Sequence, residues 1–510
     1  VHLYLAQVLE TVLSHKPSVY ANYYTVPRLL TPYCLQYYVL SALTKFVSAV
    51  TAERLFVAGI VALQCFGFRY LAIGIGPSGA LYSLFIVGTV LNWPLLMGFQ
   101  SYALAVALAC WALGFWVRAN RAEKRPWPLY AAFVACSCLV LLTHPLPYLL
   151  IIAVCGIDLA AAAITARGAD SGVWVQWRRQ AIACAAACVP LLFLWSFSRT
   201  HRTMPSAQQT SYAERLRYFL GLHGLSFFGG GGIAVRLYQA ATLFALTLGL
   251  VVAARAILRA PRRWTPAHTW LLATLLLAVL LVALPDGFGG SRAVVLRLQP
   301  LLWIGALAAA STAPWPRRGR FGDTATLLAL IAVACALTTF GLSIARITPV
   351  ARRIAAANAI PATDSPGRRG LILTTGPSAE SDLASLLYGP YYWQGVSYFR
   401  RTHSVLLNTP WMDSTWLPVQ PRAEAAPYTG LLIHDVDPDA VEFYWHLRTL
   451  LSQSPTLRAR VLAHTDFVLF TDQDHTATQP DLDAVLDTAT YHWSCQRHDW
   501  YILCDKQGTP

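Results

Sequence analysis

The chain has 510 residues, of which 56% are hydrophobic and only 13% charged, about half of the roughly 25% charged usage of soluble domains. That composition excludes a soluble cytosolic enzyme. The formal net charge of +14 would raise nucleic acid as a partner, but the cations sit in short loops between apolar runs, so no nucleic-acid partner is expected.

In chain order, the first 54 residues depart from the apolar pattern. They carry His2, Glu10, His15, Lys16, Arg28 and many tyrosines, and they read as an outer-face loop with interfacial helices. Tyr33, Gln36, Tyr37, Tyr38 and Lys45 suit a membrane interface better than its interior. Apolar runs near the roughly 20 residues needed to cross a hydrocarbon core follow, at 55–75, 102–117, 181–198, 237–252, 270–284 and 324–344 among others. Together they imply about ten spans. Lys and Arg concentrate in loops 118–125, 167–179, 255–263 and 317–320, and such loops stay cytoplasmic. The turn at His144-Pro145, the loops 199–236 and 285–292, and everything after Arg346 are then outside.

Charge changes sign along the chain: residues 1–346 hold 27 Lys+Arg and 8 Asp+Glu, whereas residues 347–510 hold 12 and 17. The expected class is therefore an α-helical polytopic membrane protein over 1–346, in the cytoplasmic membrane, followed by a soluble extracytoplasmic α/β domain over 347–510. Runs 371–374, 431–434 and 467–470 read as strands and 440–451 as a helix, punctuated by Gly and Pro. About 160 residues suffice for a core of their own. Nine of the eleven cysteines lie in apolar runs, where a thiol is a small hydrophobe. Cys495 and Cys504 flank an apparent hairpin over 491–504 and would bond in an oxidising compartment.

The loop 199–236, with its cations and four glycines at 229–232, has the makings of a lid. Its Gly run lacks the Lys-Ser or Lys-Thr of a phosphate-binding loop. Asp435, Asp437 and Asp439, and Asp472, Asp474 and His475, offer oxygen ligands without calcium-loop spacing, and helix capping is the simpler reading of the first set. A transporter or flippase would need ionisable groups near mid-membrane, and Asp158 and Arg69 are the candidates. A non-catalytic membrane subunit would bind an unknown protein partner through the aromatic stretches of its tail, 388–393 and 411–416.

Three motifs carry a family resemblance. The run Pro32-Tyr33 to Tyr38, the sequence Ala52-Glu53-Arg54-Leu55 opening a span, and the break Asn92-Trp93-Pro94 with Gly98 before another resemble the N-terminal half of the GT-C superfamily. These are polytopic glycosyltransferases that use polyprenyl-phosphate sugars. The opening VHLYLAQVLE resembles a largely uncharacterised bacterial subgroup in which an Asp-x-Pro-x-His stretch begins the first outer loop. The resemblance covers about residues 1–310 and implies a cell-envelope transferase moving a sugar from a polyprenyl-phosphate donor, in contact with membrane lipid. The acidic residue it implies would precede Val1, as in a truncated gene model, and His2 matches the stretch directly. As a general base His2 titrates in a useful range; the plainer reading is a solvated histidine. Glu10, two helical turns on, is the second catalytic candidate. Arg292, Arg297 and His144 are candidates for holding the donor phosphate, since Arg presents a rigid fork of donors and an ionisable group at membrane depth is a functional hypothesis. Interfacial anchoring or helix capping is the alternative for each. Need for a divalent cation is left open.

Overall fold

The computed structural model describes residues 2–14, 24–26, 29–90, 99–122, 126–166, 171–200, 233–259, 264–284, 294–313, 368–374, 454–471, 478–498 and 501–508, with isolated positions elsewhere. The chain forms two compact units, one of Pro32–Val39 and Val50–Ser343, the other of Val1–Thr31, Leu40–Ala49 and Ile344–Pro510.

The first unit is a helical bundle. Its main helices are α3 (Ala49–Ile75), α4 (Gln100–Arg121), α5 (Trp127–Thr143), α6 (Pro145–Ala166), α7 (Ser171–Thr200), α8 (Ile233–Arg259), α9 (Pro266–Ala283) and α10 (Val294–Ser311). Among the described residues, five helices are long and apolar enough to cross a membrane: Ala49–Ile75, Gln100–Arg121, Pro145–Thr165, Val173–Ser196 and Pro266–Ala283. The chain is a multi-pass membrane protein. Of the expected run 324–344, the described residues, 329–335 among them, are helical, whereas strand 431–434 and all but the end of helix 440–451 fall outside the described residues.

Helix α9 shows why hydrocarbon is the solvent. Trp270, Ala273, Leu277 and Leu281 form its buried stripe, yet Leu272, Leu275, Leu276, Val279 and Val282 on the other side are exposed. A helix apolar all round, with half of it facing outward, belongs in lipid. At the centre lie α4 and α10, whose side chains are almost all buried. Small residues permit this: Ala105, Ala109, Ala112, Ala306, Ala308, Ala309 and Ala310 are buried with little bulk. Polar ties cross the bundle where lipid offers no partner. Asp158 of α6 accepts from Trp116 Nε1 of α4 at 2.9 Å and from Thr269 Oγ1 of α9 at 2.5 Å. This carboxyl thus joins three helices. Arg69 donates to Ser83 Oγ at 3.2 Å.

The second unit contains α1 (His2–Leu13), β1 (Tyr24–Thr25) and part of α2 (Leu35–Thr44), with β2 (Arg369–Thr374), β3 (Val405–Leu406), β4 (Gln420–Pro421), α11 (Pro455–Leu462), β5 (Phe467–Thr471), α12 (Gln479–Leu486), β6 (His492–Arg497) and β7 (Tyr501–Gly508). Helices of 12 and 10 residues are about 18 and 15 Å long, against a hydrocarbon core of about 30 Å. As described, α2 is too short to cross on its own. One face of α1 is wholly buried, through Tyr4, Leu5, Val8 and Leu9, and the Tyr4 and Tyr24 hydroxyls meet at 3.2 Å. Strand β1 pairs antiparallel with β4, so the first 31 residues group with the tail and not with the spans.

The main sheet has the order β3-β2-β5-β7-β6, parallel from β3 to β5 and antiparallel thereafter. Leu371 to Leu373 and Phe467 to Phe470 are continuous buried runs, the pattern of strands covered on both faces. The hairpin of β6 and β7 sets Cys495 opposite Cys504, and the two are disulfide-bonded. At the other edge of β5, Arg369 holds Asp466 with two side-chain donors at 2.9 and 3.1 Å and its backbone N–H at 2.7 Å.

Two outcomes test this packing. A Cβ at Gly79 would lie 1.9 Å from the Ala72 carbonyl oxygen, so Gly79→Ala should cost about 1–3 kcal/mol and lower the thermal midpoint in detergent. Replacing both Cys495 and Cys504 with Ser should cost the tail roughly 2 kcal/mol; thiol titration of the denatured wild type should find two fewer free thiols than cysteines.

Candidate functional site

Within the bundle, four elements bring aromatic and cationic side chains to the N-terminal end of α4. Arg297 comes from the first turns of α10, where Pro300 follows in the same turn and removes one helix hydrogen bond. The guanidinium is buried, at 6% exposure, and lies 4.0 Å over the Phe99 ring just before α4. The Tyr102 hydroxyl of α4 donates to the Arg297 carbonyl. This fixes α10 against α4 at the turn that carries the cation.

His144 joins α5 to α6, outside both helices. The side chain caps the second helix: its Nδ1 accepts the Leu146 N–H at 3.1 Å, one of the donors a helix start leaves unsatisfied. With Nδ1 an acceptor, the neutral ring carries its proton on Nε2. That Nε2 is buried and has no hydrogen-bond partner among the described residues, which leaves a donor available to a ligand. Tyr33 and Tyr102 pack edge-on against the ring, with centroids at 4.8 and 5.3 Å. Burial first, and the Arg297 charge second, hold the imidazole well below its usual titration range.

Tyr33 has φ of 83°, a conformation that L residues other than Asn and Asp rarely adopt. Such strain persists where the surroundings enforce it and gathers at functional sites. Here the enforced ring is one wall around His144. On the other flank, Glu53 of α3 accepts from Gln100 Nε2 at 3.4 Å, so a half-buried carboxylate stands beside the residue that follows Phe99. Asn92, also buried, accepts the Leu95 N–H at 3.0 Å.

Of the sequence candidates, Arg297 and His144 are thus brought together. Arg292 lies outside the described residues, as do most of loop 199–236 and the acidic sets 435–439 and 472–475. In the other compact unit, His2 opens α1 and Glu10 is half-buried near its end. Sequence reasoning overlooked Tyr33, Phe99 and Tyr102 as site residues. The signal was weak because an aromatic residue at an interface is ordinarily an anchor. Among the described residues no group of three or more His, Cys, Asp or Glu side chains can hold a metal ion. A guanidinium, an N–H donor and phenol rings fit an anion better than a cation.

No protein-family model and no curated protein matches the chain. Solved structures do. ArnT from Cupriavidus metallidurans in the apo state aligns with a TM-score of 0.51 at 12% identity, over 99% of this chain and 92% of that one. A mutant of the arabinofuranosyltransferase AftD from Mycobacteria aligns with a TM-score of 0.50 at 14% identity, over 99% of this chain and 39% of that one. The chain thus spans about two fifths of the AftD length. ArnT bound to undecaprenyl phosphate gives a TM-score of 0.43 at 13% identity, over 99% and 92%. ArnT and AftD are both GT-C glycosyltransferases, and at these identities the likeness is one of fold: this chain has the GT-C fold.

Proposed function

We propose that this chain is a glycosyltransferase that moves a sugar from a polyprenyl-phosphate donor to an acceptor at the outer membrane face, with its tail extracytoplasmic. The observation that carries the reading is the pairing of the buried Arg297 with a His144 Nε2–H that has no partner among the described residues, in a chain of GT-C fold. In the reaction, the acceptor hydroxyl oxygen bonds to the anomeric carbon, the bond from that carbon to the phosphate oxygen breaks, and the electron pair leaves on the phosphate. A fixed cation and a fixed donor stabilise that growing charge without reorganising. His144 suits the part because it stays neutral: it donates without competing with Arg297 for the field. Arg292 is a second candidate for the phosphate.

The acceptor must lose a proton as it attacks, and a carboxylate or imidazole is the natural base. His2 and Glu10 of α1 are candidates for this role. Glu53 is a third, because its bond to Gln100 ties it to the end of α4 that carries Phe99 and Tyr102.

Turnover of radiolabelled polyprenyl-phosphate sugars by the chain in detergent tests the reading. Arg297→Ala should lower donor turnover at least about tenfold, the loss of one charged hydrogen bond, and His144→Phe should lower it less. Equal turnover by wild type and Arg297→Ala would sink the assignment. Acid supplies a separate check. The unfolded chain protonates His144 near about pH 6.5 whereas the folded chain does not. Stability is therefore full above that pH and falls as pH drops through it. The thermal midpoint of wild type should fall more than that of His144→Gln between about pH 7.5 and 5.5.

A further inference from the structure

The opposite end of α4 carries a second basic feature, which the proposed reaction does not use. Arg118 and Arg121 stand one turn apart in its last turns. Arg118 Nη2 donates to the Tyr70 carbonyl at 3.1 Å, with its guanidinium 4.0 Å over the Tyr70 ring. Arg121 Nη2 donates to the Ile75 carbonyl at 2.6 Å. Both therefore serve the C-terminal carbonyls of α3, where cations are favoured. Each guanidinium has further N–H groups to give. Like charges at this spacing repel, and no carboxylate among the described residues pairs with either: the ion pairs found there are Arg368 with Asp505 and Arg369 with Asp466.

Two adjoining cavities open against these arginines, of about 420 and 360 Å³. They share Ile73 and Arg121; Ile75, Gly76, Pro77 and Ala80 complete one, and Arg118 and Leu129 are among those lining the other. One wall is thus apolar, and Ile73 faces outward at 42% exposure. With 22 residues, α4 is about 33 Å long, close to the thickness of a hydrocarbon core. A bundle that buries Arg297 near one membrane face presents Arg118 and Arg121 near the other.

We propose that Arg118 and Arg121 form a second site, one that binds a phosphate group, with an anionic phospholipid as its source. Two cations against an apolar wall at head-group depth match the basic pockets that hold such lipids. A soluble phosphate would use the cations and leave the wall bare. The site is independent of the transferase reading, since its residues take no part in that reaction.

Native mass spectrometry of the full chain in detergent tests the proposal, with phosphatidylglycerol and phosphatidylcholine as probes. Wild type should retain phosphatidylglycerol preferentially, and Arg118→Gln with Arg121→Gln should lose about fivefold for each arginine removed. Because both arginines also cap α3, two further variants keep the test sound. Arg118→Lys with Arg121→Lys preserves charge and should preserve most of the preference. Ala80→Phe fills one cavity with both arginines in place and should weaken retention. Displacement of the lipid by millimolar inorganic phosphate would support the phosphate site with a soluble source; failure to displace it would support the lipid. Equal retention of the two lipids by wild type, or a preference unchanged in both the Gln variant and Ala80→Phe, overturns the proposal.

Discussion

A polar group surrounded by hydrocarbon costs several kcal/mol unless the protein itself supplies a partner, and the bundle is arranged around that constraint. Along the middle of α4 the residues are small or aliphatic, and the indoles and phenols that do enter are each tied to a carbonyl or a carboxylate. Trp111 donates to the Leu63 carbonyl at 3.0 Å, and Trp116 to Asp158 at 2.9 Å. The Asp158 carboxyl is accommodated because two helices converge on it with donors. Cations collect instead at the two ends of α4, where they meet exposed backbone carbonyls or the membrane surface.

That distribution gives the molecule two chemically different ends. At one, Arg297 is withdrawn from water and set on an aromatic ring, and His144 is held neutral. At the other, Arg118 and Arg121 remain partly open and serve the end of α3. A buried cation beside a neutral donor is suited to charge that develops during a reaction. Open cations beside an apolar groove are suited to charge that is already present, such as a lipid phosphate. The distinction is one of desolvation, since both ends use the same side chain.

The sheet of the second unit is held by other interactions: buried strand runs, parallel pairing and a disulfide hairpin, and Asp466 shows the balance at its edge. Half-burial alone would raise its carboxyl titration, but hydrogen bonds and charge from Arg369, with help from Arg368, bring it below the ordinary range. The antiparallel pairing of β1 with β4 adds the N-terminal segment to this unit, an arrangement made by backbone hydrogen bonds that two residues of strand cannot announce in sequence.

Composition and periodicity by themselves determined the membrane class, the existence of helices at 55–75, 102–117 and 270–284, the strands at 371–374 and 467–470, and the hairpin of Cys495 and Cys504. These features are local or depend on solvent, so consecutive residues carry the information. His144 and Arg297 were legible as individual ionisable residues at helix ends. Only the tertiary structure decided that they share one cluster, that Tyr33 and Tyr102 wall it, and that Glu53 stands beside Gln100, because these residues are up to 264 positions apart. Their meeting depends on how helices cross, and helix crossings follow from the packing of small residues in space and leave no periodic mark on the chain.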